Sequence, residues 1–576
     1  MTYSALLLFV ASRYTARFLR GPGRTAPTAQ VALLQRIAGA LATSGWIPEL
    51  LSDTLGLALG WKIICWASYV KDFYRLPSHQ KYERIGAFIF VALKDIPPLS
   101  WKLAREARDL EDGLRKTLKA ADHLPPATAI LPLHGRSTDS LLAEIKSMVT
   151  KEDSKWKDGC VSGAVYHGET QHLACLNQVC SLYTLSNPLH PDLWPSVRKF
   201  EAEVCSMTAS FLNGGDKGVV GCMTSGGTES ILMAVKAHRE WGLHERGITK
   251  PELIIPATAH AAFDKAAEAL CIKLVKLPVD QVTFQVDPKL VESRITGNTI
   301  LIVGSAPNYP QGTIDRIREL SELALSKGVG LHVDCCLGGF VLPFAKDAGF
   351  DVPDFDFRLK GVTSMSADCH KYGYAIKGTS VVLFRNKALR RHMYWCYADW
   401  TGGLYCTPTM AGSRSGALSA ACCASMMRMG RSGYIEAVGN ILRTRQYIQK
   451  GIEAIPGITV MGNPQAMVVA WESKLLNVYS IADKMSEKGW SINSLQKPAA
   501  VHICVTYPHT QPGVAKRFLL DLRQTVEDMM AELKAGKKGT MKNAGGSAPI
   551  YGMTAALPKG PVNQMLCSYV DVVLEV

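Results

Sequence analysis

The sequence predicts an α/β protein in which a large, mostly parallel sheet is followed by a smaller α/β unit. Short, continuously apolar segments have the length and composition of strands buried on both faces, at residues 253–255, 299–303, 330–334 and 380–384. Segments with helical periodicity, at residues 230–241 and 317–325, alternate with them. Such alternation is typical of a parallel sheet that helices cover on both sides.

The smaller unit shows a similar alternation after a long helix that we expect to follow Gly433. Its predicted elements are three strands and two helices, at residues 458–460, 467–471, 501–505, 481–488 and 514–533. A chain of 576 residues is too long for one ordinary core, so we expect several regions. These are an apolar, basic N-terminal region, an N-terminal arm with substrate loops, a large domain and a small C-terminal domain, at residues 1–115, 116–199, 200–435 and 436–576.

The composition is that of a globular protein with an excess of basic residues. Hydrophobic residues make up 47% of the chain and charged residues 20%, which excludes extensive disorder. The net charge is +14, but no aromatic-interleaved basic run and no metal-ligand spacing accompanies it. We therefore expect no nucleic-acid partner and no bound metal. The sixteen cysteines form no small-domain disulfide framework, so we expect reduced thiols that face the cytosol.

The first hundred residues combine apolar segments with isolated arginines. No acidic residue precedes Glu49, whereas Arg13, Arg17 and Arg20 stand among apolar and small residues. This composition fits either a transit peptide or a helix on a membrane surface. Residues 55–70 are apolar, but they contain a lysine and fall short of the roughly 20 residues that a spanning helix needs. A membrane span and a buried helix are both consistent with this segment.

An acid and a lysine mark the candidate active site. Asp334 ends the apolar strand at residues 330–334, and Lys371 follows it by thirty-seven residues. An acid at the carboxyl end of a strand in a parallel sheet lies where such sheets bind ligands. The combination suggests pyridoxal phosphate, which needs a lysine amine to hold it as a Schiff base and an acid to keep its ring nitrogen protonated. The alternative role for Asp334 is to cap the next helix.

A glycine-containing turn upstream fits the phosphate of such a cofactor. Residues 224–230 read Thr-Ser-Gly-Gly-Thr-Glu-Ser and lead into a predicted helix. Gly226 and Gly227 let the backbone approach a ligand closely, and free N–H groups at a helix start favour an anion. The hydroxyl of Thr228 adds a donor. An ordinary capped turn is the alternative, but this turn precedes the acid and the lysine in the order that a cofactor site requires.

Further polar residues stand in loops suited to ligand contacts. His260 follows a predicted strand, where an imidazole can stack on a flat ring, although a lone histidine is more often structural. Lys377 lies six residues after Lys371, where a second amine can bind a phosphate, move a proton or be simply solvated. Two other loops are either ligand-binding loops or ordinary surface turns, at residues 186–192 (SNPLHPD) and 408–414 (PTMAGSR).

Taken together, these segments closely resemble the sphingosine-1-phosphate lyases, a branch of the fold-type I pyridoxal enzymes related to amino-acid decarboxylases. The matching segments occur in order, at residues 162–166 (SGAVY), 186–192 (SNPLHPD), 224–234 (TSGGTESILMA), 332–340 (HVDCCLGGF), 355–380 (FDFRLKGVTSMSADCHKYGYAIKGTS), 408–414 (PTMAGSR) and 549–553 (PIYGM). The resemblance runs from about residue 134 to residue 553. It implies a fold-type I transferase-like architecture, in which the large domain binds pyridoxal 5'-phosphate.

The resemblance implies roles for individual residues. Lys371 would be the Schiff-base lysine, Asp334 the partner of the ring nitrogen, and His260 the residue that stacks on the ring. Four residues would lie near the cofactor phosphate, namely Gly226, Gly227, Thr228 and His370. Five would face the substrate, namely Tyr166, Asn187, His190, Lys377 and Arg414. Family members are dimers with active sites at the subunit interface, so we expect Ser413 to reach the cofactor of the second subunit.

The implied reaction is the retro-aldol cleavage of a phosphorylated long-chain base. Either Tyr166 or Lys377 would take the proton of the C3 hydroxyl, and the C2–C3 bond would break to give a long-chain aldehyde and phosphoethanolamine. His190, Lys377 and Arg414 would hold the substrate phosphate. The family also implies association with the endoplasmic reticulum membrane, with the catalytic domain facing the cytosol. The arginine-containing N-terminus leaves a mitochondrial location as the alternative.

Two departures from the family pattern concern Cys335 and Ile376, where the family usually has alanine and proline. The first is a small replacement, whereas the second changes the loop that aims Lys377. Two other functions stay open. An amino-acid decarboxylase with the same cofactor would need a group for a substrate carboxylate. A catalytically inactive membrane scaffold is the other, and the intact Lys371 and Asp334 argue against it.

Overall fold

The computed structural model describes residues 128–536 continuously, together with residues 559–575 and scattered positions between residues 105 and 125. By its internal contacts the chain divides into two units, residues 1–132 with 552–576 and residues 133–551. The predictions for the apolar N-terminal segments and for the segment PIYGM lie outside the described residues. Among the described residues, no helix is both long and apolar enough to cross a membrane.

A seven-stranded sheet lies at the centre of the larger unit. In chain order its strands are β1 (Val220–Thr224), β2 (Glu252–Pro256), β3 (Lys273–Leu277), β4 (Thr299–Ser305), β5 (Gly330–Asp334), β6 (Ser364–Ala367) and β7 (Ser380–Phe384). Their order across the sheet is β1-β7-β6-β5-β4-β2-β3. Within this sheet β7 is antiparallel to both of its neighbours, and the other strands run parallel to one another. The predicted mostly parallel sheet is confirmed.

The central strands of this sheet are buried on both faces. Every residue of β2, β4, β5, β6 and β7 is buried. Successive side chains in a strand point to opposite faces, so one strand can contribute to two cores. Leu253 and Ile255 belong to one hydrophobic cluster, whereas Ile254 packs with Ile302 in another. A continuously apolar strand is therefore what this position in the sheet requires.

Helices surround the sheet and connect its strands. In chain order the described helices are α1 (Thr138–Glu152), α2 (Ser154–Lys157), α3 (Thr170–Leu182), α4 (Pro195–Phe211), α5 (Gly227–Arg246), α6 (Ala262–Ala269), α7 (Pro288–Glu292), α8 (Ile317–Lys327), α9 (Leu342–Ala345), α10 (Lys387–Arg391), α11 (Gly416–Glu453), α12 (Val478–Glu487), α13 (Val514–Lys534) and α14 (Lys559–Leu574). Short 3-10 turns occur at Gly215–Lys217 and Tyr507–Thr510. Helix α5 contacts β1, β4, β5, β6 and β7.

A second, antiparallel sheet of four strands follows the long helix α11. Its strands are β10 (Thr459–Val460), β11 (Val468–Glu472), β12 (Asn493–Leu495) and β13 (Ala500–Cys504), in the order β10-β11-β13-β12. The predicted long helix begins earlier than expected, at Gly416 rather than after Gly433. It changes direction at Gly430, whose φ of +58° is not helical. Between the large sheet and this helix, β8 (Trp395–Tyr397) and β9 (Tyr405–Thr407) form a separate two-stranded ribbon.

Candidate active site

The carboxyl ends of four strands bring the predicted site residues to one edge of the large sheet. The turn at residues 224–230 directly follows β1, and Asp334 is the last residue of β5. Lys371 follows β6, and His260 follows β2. All four strands are parallel, so their carboxyl ends lie at the same edge. This edge is where open α/β sheets bind ligands.

At Gly227 the turn between β1 and α5 is packed so closely that it requires glycine. A Cβ atom on Gly227 would lie 2.7 Å from both the Oδ2 atom of Asp368 and the Sγ atom of Cys336. A Cβ atom on Gly226 would lie 3.5 Å from the ring of His370, which is an ordinary contact distance. Helix α5 starts at Gly227 without a side-chain cap. Its first N–H groups are therefore available to an anion, as a cofactor phosphate requires.

Lys371 is paired with a carboxylate that sequence reasoning did not select. Its Nζ atom lies 2.9 Å from the Oδ2 atom of Asp368, which is almost completely buried. The hydroxyl of Ser380 donates to the other oxygen of Asp368 at 2.6 Å, and the hydroxyls of Ser230 and Thr224 continue this contact at 2.8 and 2.6 Å. Burial disfavours the charge on Lys371, but the carboxylate of Asp368 outweighs it and raises the pKa of Lys371.

Asp334 is a buried carboxylate that stays ionised. Its Oδ1 atom accepts hydrogen bonds from the backbone N–H of Cys336 at 3.0 Å and from the hydroxyl of Ser366 at 3.1 Å. Burial alone would raise its pKa, but the hydrogen bonds that Cys336 donates help to bring the pKa of Asp334 below its ordinary value. An ionised carboxylate in a buried site is suited to a protonated ring nitrogen.

Two histidines lie beside these charged groups. The imidazole of His260 is exposed and accepts the backbone N–H of Ala262 at its Nδ1 atom, 3.1 Å away. His370 accepts the backbone N–H of Thr379 at 3.3 Å, and its Nε2 atom lies 3.8 Å from Asp368. Desolvation lowers the pKa of His370 against the opposing charge of Asp368, so the ring is neutral near pH 7. Because the Nδ1 atom accepts from Thr379, the proton of the neutral ring is at Nε2, which can donate one hydrogen bond to a cofactor phosphate.

Tyr166 and Lys377 are in direct contact, although 211 positions separate them in the sequence. The Nζ atom of Lys377 lies 4.5 Å from the centre of the Tyr166 ring and donates to the carbonyl oxygen of His370 at 3.3 Å. Desolvation and the charge of Lys371 lower the pKa of Lys377 to about 8. Burial raises the pKa of Tyr166 well above its ordinary value. The structure thus brings two candidate proton-transfer groups together beside Lys371.

The small antiparallel sheet positions Tyr166. The hydroxyl of Ser162 accepts the backbone N–H of Cys504 at 2.8 Å, and the N–H of Gly163 donates to the carbonyl oxygen of Cys504 at 3.0 Å. The N–H of Tyr507 donates to the carbonyl oxygen of Tyr166 at 3.2 Å. These bonds attach the segment SGAVY to β13 and to the turn that follows it. The small antiparallel sheet therefore holds the segment from which Tyr166 contacts Lys377.

The loops SNPLHPD and PTMAGSR contact each other. The side chain of Asn187 donates to the hydroxyl of Ser413 at 3.0 Å and accepts the backbone N–H of Arg414 at 3.2 Å. The guanidinium of Arg414 forms a two-point ion pair with Glu201 at 2.5 and 3.1 Å. A substrate phosphate would therefore have to compete with Glu201. His190 stands apart on the exposed part of its loop, with its ring centre 6.2 Å from that of Trp194.

Glu229 ties the loop PTMAGSR to the phosphate turn. Its Oε2 atom accepts both the N–H and the hydroxyl of Ser225 at 2.7 Å. Its Oε1 atom accepts the backbone N–H of Met410 at 3.1 Å. Ser413, which is exposed, therefore lies in a loop that is attached to the turn of its own chain. Its predicted contact with the cofactor of a second subunit stays a prediction.

The residues at this edge fit pyridoxal phosphate. The site combines an uncapped helix N-terminus behind Gly227, a lysine amine at Lys371 and a buried, ionised carboxylate at Asp334. Cys336 contacts this group, because its N–H donates to Asp334 and its Sγ atom lies against Gly227. These groups match the phosphate, the aldehyde and the ring nitrogen of the cofactor.

Comparisons with known proteins agree with pyridoxal phosphate as the cofactor. Residues 135–474 match the family model for the pyridoxal-dependent decarboxylase conserved domain. A sphingosine-1-phosphate lyase from Dictyostelium discoideum is 44% identical over 490 residues, which cover 85% of this chain and 90% of that protein. Sphingosine-1-phosphate lyase 1 from Rattus norvegicus is 42% identical over 82% of both chains. A solved sphingosine-1-phosphate lyase from Burkholderia pseudomallei is 44% identical and superimposes with a TM-score of 0.69 over 71% of this chain and 95% of its own.

The fold and the site define a pyridoxal-phosphate-dependent enzyme of the fold shared with the group II decarboxylases. A glutamate decarboxylase from Lactobacillus brevis, 20% identical with a TM-score of 0.61, shares that fold and no more. Within this class, the chain belongs to the sphingosine-1-phosphate lyase family.

Sequence reasoning missed two residues that contact the predicted ones. Asp368 precedes Lys371 by three residues, and the N–H of Lys371 donates to the carbonyl oxygen of Asp368 at 3.2 Å, which closes a turn. The spacing Asp-x-x-Lys was the available signal. Ser366 contacts Asp334 from the neighbouring strand. Its signal was the alternation of serines in Ser-Met-Ser, which becomes informative only when the register between β5 and β6 is known.

Proposed function

We propose that this protein cleaves sphingosine 1-phosphate and related long-chain base phosphates between C2 and C3, with pyridoxal phosphate as its cofactor. The products are a long-chain aldehyde and phosphoethanolamine. The names and similarity of the relatives support this reaction. The observation that carries it in the structure is the contact of Lys377 with Tyr166 beside Lys371. A second amine next to the cofactor lysine suits a substrate with a hydroxyl to deprotonate and a phosphate to bind.

Lys371, Asp334 and the turn at Gly227 would hold the cofactor. When bound, pyridoxal phosphate supplies a ring that accepts the electron pair released by carbon–carbon cleavage. Asp334 would stabilise a protonated ring nitrogen, because its carboxylate stays ionised although it is buried. Lys371 presents its amine from the turn that it forms with Asp368.

Lys377 is the better proton acceptor for the C3 hydroxyl. Its pKa of about 8 leaves a useful fraction of neutral amine near neutral pH. Tyr166 has a raised pKa and stays protonated, so its hydroxyl serves as a hydrogen-bond donor. The proton that leaves the C3 oxygen is matched by one delivered to C2. The reaction therefore consumes neither water nor an oxidant.

The substrate phosphate needs hydrogen-bond donors outside the cofactor site, and the exposed side chain of His190 can supply one. Once Lys377 has taken the proton of the C3 hydroxyl, it becomes a cation that can contact the same phosphate. Arg414 remains a predicted phosphate ligand, but its present partner is Glu201. Binding through Arg414 would require the phosphate to displace that carboxylate.

An assay of aldehyde release from sphingosine 1-phosphate tests the proposed reaction. Lys371→Ala should abolish turnover, whereas Lys360→Ala, at an exposed lysine away from the site, should leave it unchanged. The second function to test is amino-acid decarboxylation, because the fold is shared with amino-acid decarboxylases. Carbon dioxide from aromatic amino acids or glutamate, without fatty aldehyde from the lipid substrate, would contradict the lyase.

We further propose that the protein acts as a homodimer. Support comes from the apolar face of α1, where Leu141, Leu142, Ile145 and Val149 are between 40% and 49% exposed in the single chain. Such a continuous apolar face is costly to leave in water. Light scattering of the full chain should give twice the mass of one chain. Leu142→Asp should shift the mass towards the monomer, and a monomeric wild type with full activity would contradict the dimer.

We also propose that the protein is attached to the endoplasmic reticulum membrane with its catalytic domain in the cytosol. The apolar segments and arginines of residues 1–115 support membrane attachment, and they are equally compatible with a mitochondrial address. Expression of the full chain with a C-terminal fluorescent protein, imaged against markers of both organelles, tests the location. Mitochondrial fluorescence would replace the first proposal with the second.

A further inference from the structure

A row of hydrogen-bonded side chains leads along β5 and β6 to Asp334. The two strands are parallel neighbours, and their register pairs His332 with Ser364 and Asp334 with Ser366. These four residues share one face of the sheet, because side chains in a strand alternate between faces. His332, Ser364 and Ser366 are completely buried. Polar side chains in such a position are costly unless every one of them is hydrogen-bonded.

The hydrogen bonds of this row allow a single direction. The hydroxyl of Ser366 donates to the Oδ1 atom of Asp334 at 3.1 Å, since an ionised carboxylate can only accept. The oxygen of Ser366 therefore accepts from the Nε2 atom of His332 at 3.2 Å. Burial lowers the pKa of His332 to about 3, so the ring is neutral and carries one proton, at Nε2. The Nδ1 atom then accepts from the hydroxyl of Ser364 at 2.8 Å.

The direction of the row matters for the charge of Asp334. Each donor in a chain of hydrogen bonds polarises the next one, and the effect is larger where water is excluded. All three donors point towards the carboxylate, so they favour its ionised form and fix the orientation of its Oδ1 atom. A hydrocarbon side chain at position 332 would fill the same space without this effect. Burying the imidazole of His332 is costly, but its hydrogen bond to Ser366 helps to keep Asp334 ionised.

We propose that Ser366 and His332 are positioning residues that hold Asp334 ionised and oriented towards the ring nitrogen of the cofactor. This inference rests on the proposed role of Asp334. Neither residue touches the substrate or the reacting atoms. Their effect reaches the reaction through the protonation of the cofactor ring, so it should appear in cofactor binding and in the absorbance of the bound cofactor as well as in turnover.

The decisive variant is Ser366→Ala, with Ser305→Ala as its matched control. Ser305 is equally buried on the neighbouring strand β4, where it pairs in register with Asp334, but its hydroxyl has no hydrogen-bond partner among the described residues. Ser366→Ala should weaken pyridoxal phosphate binding roughly tenfold, as expected for the loss of a hydrogen bond to a charged group. It should also move the pH at which the absorbance of the bound cofactor changes. Ser305→Ala should do neither.

Two further variants test the direction of the row. Ser366→Thr keeps the hydroxyl and should restore both cofactor affinity and the absorbance profile. His332→Leu removes the donor to Ser366 and should change both readouts in the same direction as Ser366→Ala, but less. It also takes the place of Ser366→Ala if that variant does not accumulate as folded protein. In Ser366→Ala and His332→Leu, kcat should fall more than KM rises, because substrate contacts are unchanged.

The result that would overturn the proposal is a Ser366→Ala or His332→Leu protein that matches Ser305→Ala in cofactor affinity and in its absorbance profile. Asp334→Asn separates this failure from a failure of the proposed function. If Asp334→Asn strongly weakens cofactor binding while Ser366→Ala does not, only the row is refuted. If Asp334→Asn also binds the cofactor normally with an unchanged absorbance profile, then the assignment of Asp334 is wrong.

Discussion

The ion pair between Asp368 and Lys371 should control when the lysine amine can react with the cofactor. The two side chains are 2.9 Å apart, and the carboxylate is 2% exposed whereas the lysine side chain is 23% exposed. We consider Asp368→Asn, which removes the charge but keeps the size and the ability to accept the hydroxyl of Ser380. The variant should therefore lower the pKa of Lys371 without a gross change in packing.

The size of the effect follows from Coulomb's law. Unit charges 2.9 Å apart attract each other by about 6 kcal/mol at the effective dielectric constant of roughly 20 that suits protein sites. This attraction corresponds to about four pKa units as an upper limit. Solvent reaches part of the Lys371 side chain and screens the charge, so the observed change should be smaller. We expect the pKa of Lys371 to fall by at least about one unit.

The rate at which the apoenzyme combines with pyridoxal phosphate measures this change. Attack on the cofactor aldehyde requires the neutral amine, and the raised pKa of Lys371 makes that form rare near neutral pH. In the wild type the rate should therefore keep rising with pH. Asp368→Asn should react at least about tenfold faster at neutral pH, and its profile should level at a lower pH. The visible absorbance of the bound cofactor follows the reaction in a stopped-flow instrument.

The matched control is Asp315→Asn, which alters another buried carboxylate beside the large sheet. Asp315 accepts the backbone N–H groups of Ser305 and Val286, and burial raises its pKa to about 6. The Asp315→Asn variant should show the same pH profile of cofactor binding as the wild type. An Asp368→Asn protein with the wild-type profile, at full cofactor occupancy, would refute the proposed control of Lys371.

Three further predictions concern proton transfer, cofactor binding and stability. The value of kcat/KM should rise with pH through about 8 as Lys377 loses its proton and then level, and Lys377→Gln should remove this step and lower activity by at least about 100-fold in the aldehyde assay. Gly227→Ala should weaken cofactor binding in a spectroscopic titration because its Cβ would meet Asp368, whereas Gly297→Ala, with open space around it, should not. Phe518→Ala should lower the free energy of unfolding by about 3–5 kcal/mol in a denaturant titration, because that ring is fully buried.

The large sheet could be predicted because its strands carry a local signal. Strands β5 and β7 have the predicted bounds, since both contain valine and leucine in a short segment whose residues are all buried. Strand β1 was missed, because Val220–Thr224 contains a glycine and a threonine and resembles a loop. The start of α11 was also missed. The helix begins at Gly416, before Gly430, although the backbone of Gly430 itself is not helical.

The sequence by itself determined the fold class, the cofactor and the main candidate residues, because Asp334, Lys371 and the turn at Gly227 occur in an order and at spacings that reflect local structure. The tertiary structure alone decided how those residues are paired. The contact of Lys377 with Tyr166 joins segments that are distant in the sequence. The row that ends at Asp334 depends on the register of two strands, which hydrogen bonds between them set and no local pattern encodes.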